Sequence, residues 1–334
     1  MISPPLAVVV IPTLNEAAHI GRVLAELASE TTGWPIYVID GGSVDGTCDI
    51  VQTVAVGRGD ITLLNNPQRS QAHAVNLAAR IAAELGATYL IRVDAHAHYP
   101  KGFLRGIVQT LEQTPVDSVV VPLIAVSEGD SWQKAAGLLQ QSWLGHGGAQ
   151  HRRQRASGLV RHGHHAAFRL SAFLALGGYD TGFSANEDAE FDARLIAQGG
   201  KIFLQSRWPV GYLPRATIRK TWAQYQRNGY WRAQTVLRHG QVSMRQLVPP
   251  VFAATLLGTL VFGVAWPPAF LVWLCAGCGI GIASFMAAGA KLDSAARIAA
   301  LATVMHFGFG LGFLSALISH LRATPRSQPK RVFQ

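Results

Sequence analysis

Between Gln246 and Ala290 the chain carries no charged side chain over 45 positions. One soluble core rarely hides so long a stretch, whereas a helical crossing of a bilayer needs only ~20 apolar residues. Two crossings fit, broken near Trp266, Pro267 and Pro268, and a third apolar segment runs over 299–321. Residues 246–322 are therefore expected to form a membrane domain of two or three helices, with 323–334 as a basic tail. Lys291 and Arg297 place the loop before the third segment in the cytoplasm, and Arg322, Arg326, Lys330 and Arg331 place the tail there too. Three full crossings cannot satisfy both, so one segment is expected to be re-entrant or interfacial.

Composition agrees. Charged residues are 14% of the 334 and hydrophobic residues 49%, against about 25% charge in an average soluble chain. The net charge is +10, with basic residues thickening between Arg152 and Arg245. Such clusters suit lipid headgroups or phosphates. No nucleic-acid module accompanies them, so nucleic acid is not expected as a partner. Cys275 and Cys278 lack a second pair and read as small residues of a membrane helix. Residues 1–5 carry no basic n-region, so the part before the membrane segments is expected in the cytoplasm, at the inner membrane.

The first hundred residues alternate strand and helix. Residues 6–11 read as a strand ended by Pro12, and Asn15 as the cap of a helix through Ile20, Val23, Leu24 and Leu27. Strands follow at 36–39, 61–64 and 89–93, with helices at 49–54 and 71–85. This order predicts an α/β domain with a mainly parallel sheet covered on both faces. Ligands of such sheets sit beyond the carboxyl ends of the strands, where Asp40 and Asp94 fall. Further on, 116–124 reads as a strand, 152–165 as a basic loop and 189–197 as a helix.

Three groups of residues offer chemistry. Glu16 and Asp40, at the ends of the first two strands, can accept hydrogen bonds from a base or ribose, though acidic residues also cap helices and fill turns. Asp94 and His96 are two apart on a strand edge and can share Mg²⁺ or Mn²⁺. Glu187 and Asp188 follow Asn186 at a helix start, where a carboxylate can take a proton from an alcohol or simply favour the helix dipole.

The ordered set resembles glycosyltransferase family 2, the A-type fold with a Rossmann-like nucleotide domain. The resemblance is carried by Val10 to Glu16, Ile39 to Thr47, Arg92-Val93-Asp94-Ala95-His96, Gly177-Gly178-Tyr179-Asp180 and Asn186-Glu187-Asp188, and covers roughly residues 6–240. Asp-Ala-His-Ala followed by Tyr99-Pro100 is most similar to the branch of succinoglycan-assembly glucosyltransferases with C-terminal membrane segments.

The resemblance implies a catalytic domain over 1–245, with a nucleotide half to about 100 and an acceptor half after it. It implies an inverting, metal-dependent, non-processive enzyme that moves a hexose, glucose in that branch, from a uridine-diphosphate donor to a polyprenyl-diphosphate-linked saccharide. Other polysaccharide-assembly enzymes are candidate partners. Pro12, Glu16, Asp40, Gly42, Asp45, Arg69 and Asp94 would serve the donor, Asp94 and His96 the metal, and Asp188 would be the base. The family usually has Asp where His96 stands. Glu187, Gln224, Arg227 and Trp231 are acceptor candidates; the processive motif Gln-x-x-Arg-Trp is broken, since Asn228 follows Arg227. The rival readings are a polyprenyl-phosphate sugar transferase and a non-catalytic assembly factor. A dinucleotide oxidoreductase fails on the first turn, which lacks Gly-x-Gly-x-x-Gly.

Overall fold

The computed structural model describes residues 7–28, 30, 33–126, 129–146, 156–215, 217–262, 267–289 and 291–322. Contacts divide them into two compact units, Met1–Pro214 and Arg215–Gln334.

In the first unit, β1 (Ala7–Thr13), α1 (Ile20–Ala28), β2 (Ile36–Asp40), α2 (Thr47–Ala55), β3 (Ile61–Asn65), α3 (Gln71–Glu84) and β4 (Tyr89–Arg92) alternate as expected. Then come α4 (Phe103–Gln113), β5 (Ser118–Val121), β6 (Leu123–Ala125), α5 (Ser131–Gln141) and α6 (Trp143–His146). The unit ends with β7 (Gly158–Val160), β8 (His164–Arg169), α7 (Leu170–Ala175), α8 (Glu187–Ala197), β9 (Ile202–Leu204) and β10 (Val210–Tyr212). Eight strands make one sheet in the order β3-β2-β1-β4-β8-β5-β9-β7; β10 and β6 form a separate parallel pair.

β1 runs through Pro12 rather than stopping before it. Alternate residues of β1 face alternate neighbours: Val9 and Thr13 bond toward the β2 side, while Val10 accepts from Val93 beyond β4. Pro12 therefore points its missing N–H toward β4, where the ladder has already ended at the Val10–Arg92 pair. The stretch 116–124 forms two strands because Pro122 interrupts it, and β6 leaves the main sheet.

The sheet is parallel from β3 to β4 and again between β5 and β9. β8 enters antiparallel between β4 and β5, with Leu90 opposite Phe168 and Ile91 opposite Ala167. This corrects the expected loop at 152–165: 147–155 lie outside the described residues, but His164 and His165 begin a central strand. Its direction decides the site, because the start of β8 comes to the edge where β4 ends.

Both sheet faces are covered. Ile20, Val23, Leu24 and Leu27 of α1 pack on one side with Phe103, Ile107 and Leu111 of α4. On the other side lie five buried alanines of α3, which bring that helix close to the sheet, and an aromatic group of Phe168, Phe173, Tyr179 and Phe191.

The second unit holds α9 (Ile218–His239), α10 (Met244–Phe262), α11 (Pro267–Ala287) and α12 (Leu292–Arg322). Among the described residues one helix, α12, is long and apolar enough to cross a membrane. Helices also cover the expected first two spans, but residues 263–266 and the side chains of 260–276 lie outside the description, as does the tail. α12 packs on α9 and α10 through glycines. A Cβ on Gly229 would lie 2.0 Å from the Phe309 carbonyl, and one on Gly312 would lie 2.0 Å from that of Gln226. Small residues at such crossings let backbones approach. Gly229→Ala should therefore force the pair apart and cost about 1–3 kcal/mol. Thermal unfolding of detergent-purified protein would register this as a lower midpoint; an unchanged midpoint would mean that α9 and α12 do not meet there.

Candidate active site

The site begins with two loops that lock each other. At the end of β1, Asn15 adopts φ 57°. Its N–H donates to Ser43 Oγ at 2.7 Å, and its side-chain oxygen accepts from the Val44 amide at 3.0 Å. Asn15 does not cap α1, which starts only at Ile20. Asp45 Oδ2 accepts from the Ala17 amide at 3.0 Å, and the Glu16 amide donates to Thr47 Oγ1 at 2.8 Å. The turn after β2 is thus tied to the turn after β1 by four hydrogen bonds.

Asp40 closes β2. Its Oδ2 accepts from the amides of Gly42 at 2.7 Å and Ser43 at 2.8 Å, and the Ser43 hydroxyl donates to Oδ1. Burial opposes ionisation, but these donors outweigh it and hold the carboxyl below its ordinary value. Gly42 has φ 84°, a conformation that favours glycine. Arg69 is exposed just beyond β3, with φ 55°; a Cβ on Gly41 would meet its Cα at 3.4 Å. Arg69 therefore borders the Asp40 turn.

The centre is Asp94, just past β4. Its Oδ1 accepts from Arg92 at 2.9 Å, its Oδ2 lies 3.3 Å from His164 Nε2, and its amide donates to the Tyr99 hydroxyl at 2.7 Å. The Asp94 side chain is still 21% exposed. Burial works against its charge, yet Arg92, then His164 and His96, hold the carboxyl far below the carboxylate range. His96 Nδ1 pairs with Glu16 Oε1 at 2.8 Å, which joins the β4 edge to the β1 loop.

Among the described residues no group of three His, Cys, Asp or Glu side chains forms a metal cage. A hard divalent cation needs none: Mg²⁺ is commonly held by one or two carboxylates plus substrate phosphates. Asp94, accessible and ionised, with His96 beside the same edge, fits that pattern.

The third part is the first turn of α8. Asn186 occupies the N-cap with φ 57° and makes no side-chain cap bond. Glu187 is buried and Asp188 half-buried. Asp188 Oδ1 accepts from the Ala189 amide at 2.7 Å. Burial again opposes its charge, but His162, His165 and Arg92 keep Asp188 ionised below the ordinary range. Glu187 moves the opposite way, raised by burial and by the adjacent Asp188 charge. Arg92 feels Asp94, Glu187 and Asp188 together. The donor edge and the helix turn thus share one buried cation.

The structure brings Pro12, Glu16, Asp40, Gly42, Asp45, Arg69, Asp94 and His96 to neighbouring strand ends, and links Glu187 and Asp188 to Asp94 through Arg92 and His164. Gln224, Arg227 and Trp231 lie on α9 of the other unit. Arg92, His164, His165, Tyr179 and Asp192 were not expected as site residues. A lone arginine inside the apolar run Tyr89–Arg92 was a visible signal; the histidine pair was hidden in a segment of loop-like composition.

His164 carries a pH signature. Burial pushes its pKa down to about 4 and Arg92 and His165 add to this, while Asp94 and Asp188 oppose. The unfolded chain binds that proton near pH 6.5, the folded chain only near 4. Between those values the unfolded state holds more protons, so stability falls as pH falls, by on the order of 3 kcal/mol across the window. Urea midpoints should drop between pH 7 and pH 5, and His164→Gln should flatten the drop. Equal slopes in the two proteins would reject this.

The family model described as Glycosyl transferase family 2 matches residues 8–177. Succinoglycan biosynthesis protein ExoA of Rhizobium meliloti (strain 1021) is 38% identical over 321 residues, covering 95% of this chain and 96% of that one. A Methanococcus voltae protein named dolichyl N-acetyl-alpha-D-glucosaminyl phosphate 3-beta-D-2,3-diacetamido-2,3-dideoxy-beta-D-glucuronosyltransferase is 23% identical over 77% of this chain and 81% of its own length. Among solved structures, the mannosyltransferase PcManGT from Pyrobaculum calidifontis, in complex with GDP-Man and Mn²⁺, has a TM-score of 0.62 at 19% identity. It covers 95% of this chain and 88% of that one, and supports the A-type fold. Family match, near-full-length relative and fold agree, and the chain belongs to glycosyl transferase family 2 as a glycosyltransferase.

Proposed function

We propose that this glycosyltransferase is an inverting, non-processive hexosyltransferase of exopolysaccharide assembly. It moves glucose from UDP-glucose onto a polyprenyl-diphosphate-linked saccharide at the inner membrane, with the catalytic part facing the cytoplasm. The observation that carries the reading is the run of charged contacts from Glu16 through His96 and Asp94 to Arg92 and the Asp188 turn. The pathway is supported by the succinoglycan relative's name, a lipid-linked acceptor by the dolichyl phosphate relative's name, and glucose by the resemblance that the Asp-Ala-His-Ala pattern carries.

Glu16 and Asp40 would accept hydrogen bonds from the nucleoside, and Asp45, with Pro12 and Gly42, would fix the turns that carry them. Arg69 would face the donor phosphates from the neighbouring turn. A divalent ion, when bound by Asp94 and His96, would supply positive charge for the departing diphosphate. Asp188 takes the acceptor hydroxyl proton. The oxygen attacks the anomeric carbon as the bond to the diphosphate breaks, so no sugar–enzyme intermediate forms and the configuration inverts. Glu187, Gln224, Arg227 and Trp231 are proposed to serve the acceptor side. The low-lying Asp188 pKa means that this base is charged throughout the physiological range.

Asp188→Asn should lower hexose transfer by about 10²–10⁴-fold, the usual worth of a general base, while UDP affinity stays within about threefold. Incorporation of labelled glucose into the lipid fraction and calorimetric titration with UDP measure the two. Retained turnover would instead favour a bare lipid phosphate as acceptor, which needs little base. EDTA should abolish transfer, and added Mn²⁺ or Mg²⁺ should restore it. Full activity in the chelator would remove the metal from the scheme.

A further inference from the structure

Behind the site lies a buried polar chain that the scheme above does not use. Asp192 stands one helical turn after Asp188 on α8 and is 1% exposed. Its Oδ1 is 2.8 Å from His165 Nε2, and its Oδ2 is 2.7 Å from His162 Nδ1. His165 Nδ1 is 2.6 Å from the Tyr179 hydroxyl. Both rings are buried and stack within 6° of parallel, inside Phe168, Phe173 and Phe191. The Tyr179 oxygen in turn lies beside the Arg92 guanidinium.

Proton accounting fixes the direction of this chain. An ionised carboxylate only accepts, so Nε2–H of His165 donates to Asp192. In the neutral ring Nδ1 then accepts, so the Tyr179 hydroxyl donates to His165. That commits the phenol proton away from Arg92 and leaves the oxygen's lone pairs for the guanidinium. Each partner has one arrangement that satisfies all of them. A polar string of this kind, buried among three phenylalanine rings, costs stability unless every member is paired. Burial alone would be met better by apolar residues.

We propose that Asp192, His165 and Tyr179 form a positioning relay that holds the first turn of α8 and Arg92 as one unit, so that Asp188 and Asp94 are set relative to each other. The relay rests on the roles given to Asp188 and Asp94 above. None of its three members touches the reacting atoms. His162 secures the second oxygen of Asp192 and keeps that carboxylate from turning. The nucleoside contacts stand on β1 and β2, so the relay governs the turnover step rather than donor binding.

The test compares His165→Leu, His165→Gln and Tyr179→Phe with the parent enzyme, measuring kcat for glucose transfer, UDP affinity and thermal midpoint. Leucine removes both bonds. Glutamine offers a donor and an acceptor about as far apart as the imidazole nitrogens, and can restore them. Phenylalanine removes the hydroxyl, and with it both the bond to His165 and the link to Arg92, but leaves the His165–Asp192 bond in place. Misplacing a catalytic group by about 1 Å can cost 10²-fold. Leucine should therefore lower kcat by up to 10²-fold and phenylalanine by about tenfold, with UDP affinity within threefold in each. Glutamine should recover most of the leucine loss.

The relay is overturned if Tyr179→Phe turns over at the parent rate, if glutamine is as poor as leucine, or if kcat and UDP affinity fall by the same factor. Should the leucine variant not fold, the other two decide alone. A failed relay with an inactive Asp188→Asn leaves the proposed reaction standing, whereas an active Asp188→Asn removes the reaction itself.

Discussion

One buried cation organises this molecule's chemistry. Arg92 sits at the last position of a central strand, 7% exposed, with its guanidinium against Asp94 and close to Tyr179, Glu187 and Asp188. An uncompensated charge there would be costly, and truncating one partner of such a pair typically costs 3–5 kcal/mol. The cation therefore requires its acids, and Asp94 in turn stays ionised chiefly because of it. Carboxylates contributed by a strand end and by a helix nearly a hundred residues later are held in one electrostatic unit.

The donor side is built on another principle, mutual capping of loops. Asn15, Asp40, Asp45 and Thr47 fill each other's hydrogen-bonding capacity across the ends of β1 and β2. Side chains and amides that would otherwise need water are satisfied internally, so the two turns hold each other's conformation. Two of these acids, Asp40 and Asp45, titrate below their ordinary range for that reason. One carboxylate oxygen of Glu16 pairs with His96, which makes the β4 edge continuous with the loops.

The legible parts of this fold were those governed by local pattern. Apolar runs marked β1 to β4, the spacing of Ile20, Val23, Leu24 and Leu27 marked α1, and the alanines marked α3. Boundaries slipped where a neighbour decided them: Pro12 stays in β1 because β4 has already turned away. β8 was not legible, since His164 and His165 fit a strand only through partners supplied by Asp94, Tyr179 and Asp192. Of the site, the acids at the strand ends were readable from position and motif. Their supporting residues were not, because a buried tyrosine or histidine announces its role only once its partner is known.

The direction of β8 has a consequence for how the molecule comes into being. The sheet has no middle until His164–Arg169 slides between β4 and β5, so the β1–β4 half emerges from the ribosome with an open edge. Closing that edge brings together segments some seventy residues apart in sequence, a slow kind of step in folding. The same insertion delivers His164 to Asp94 and His165 to the helix that carries Asp188. A growing chain therefore completes the interlocked loops after β1 and β2 before it gains the strand that meets Asp94 and the helix that carries Asp188, and the charged cluster around Arg92 closes only after synthesis has passed both.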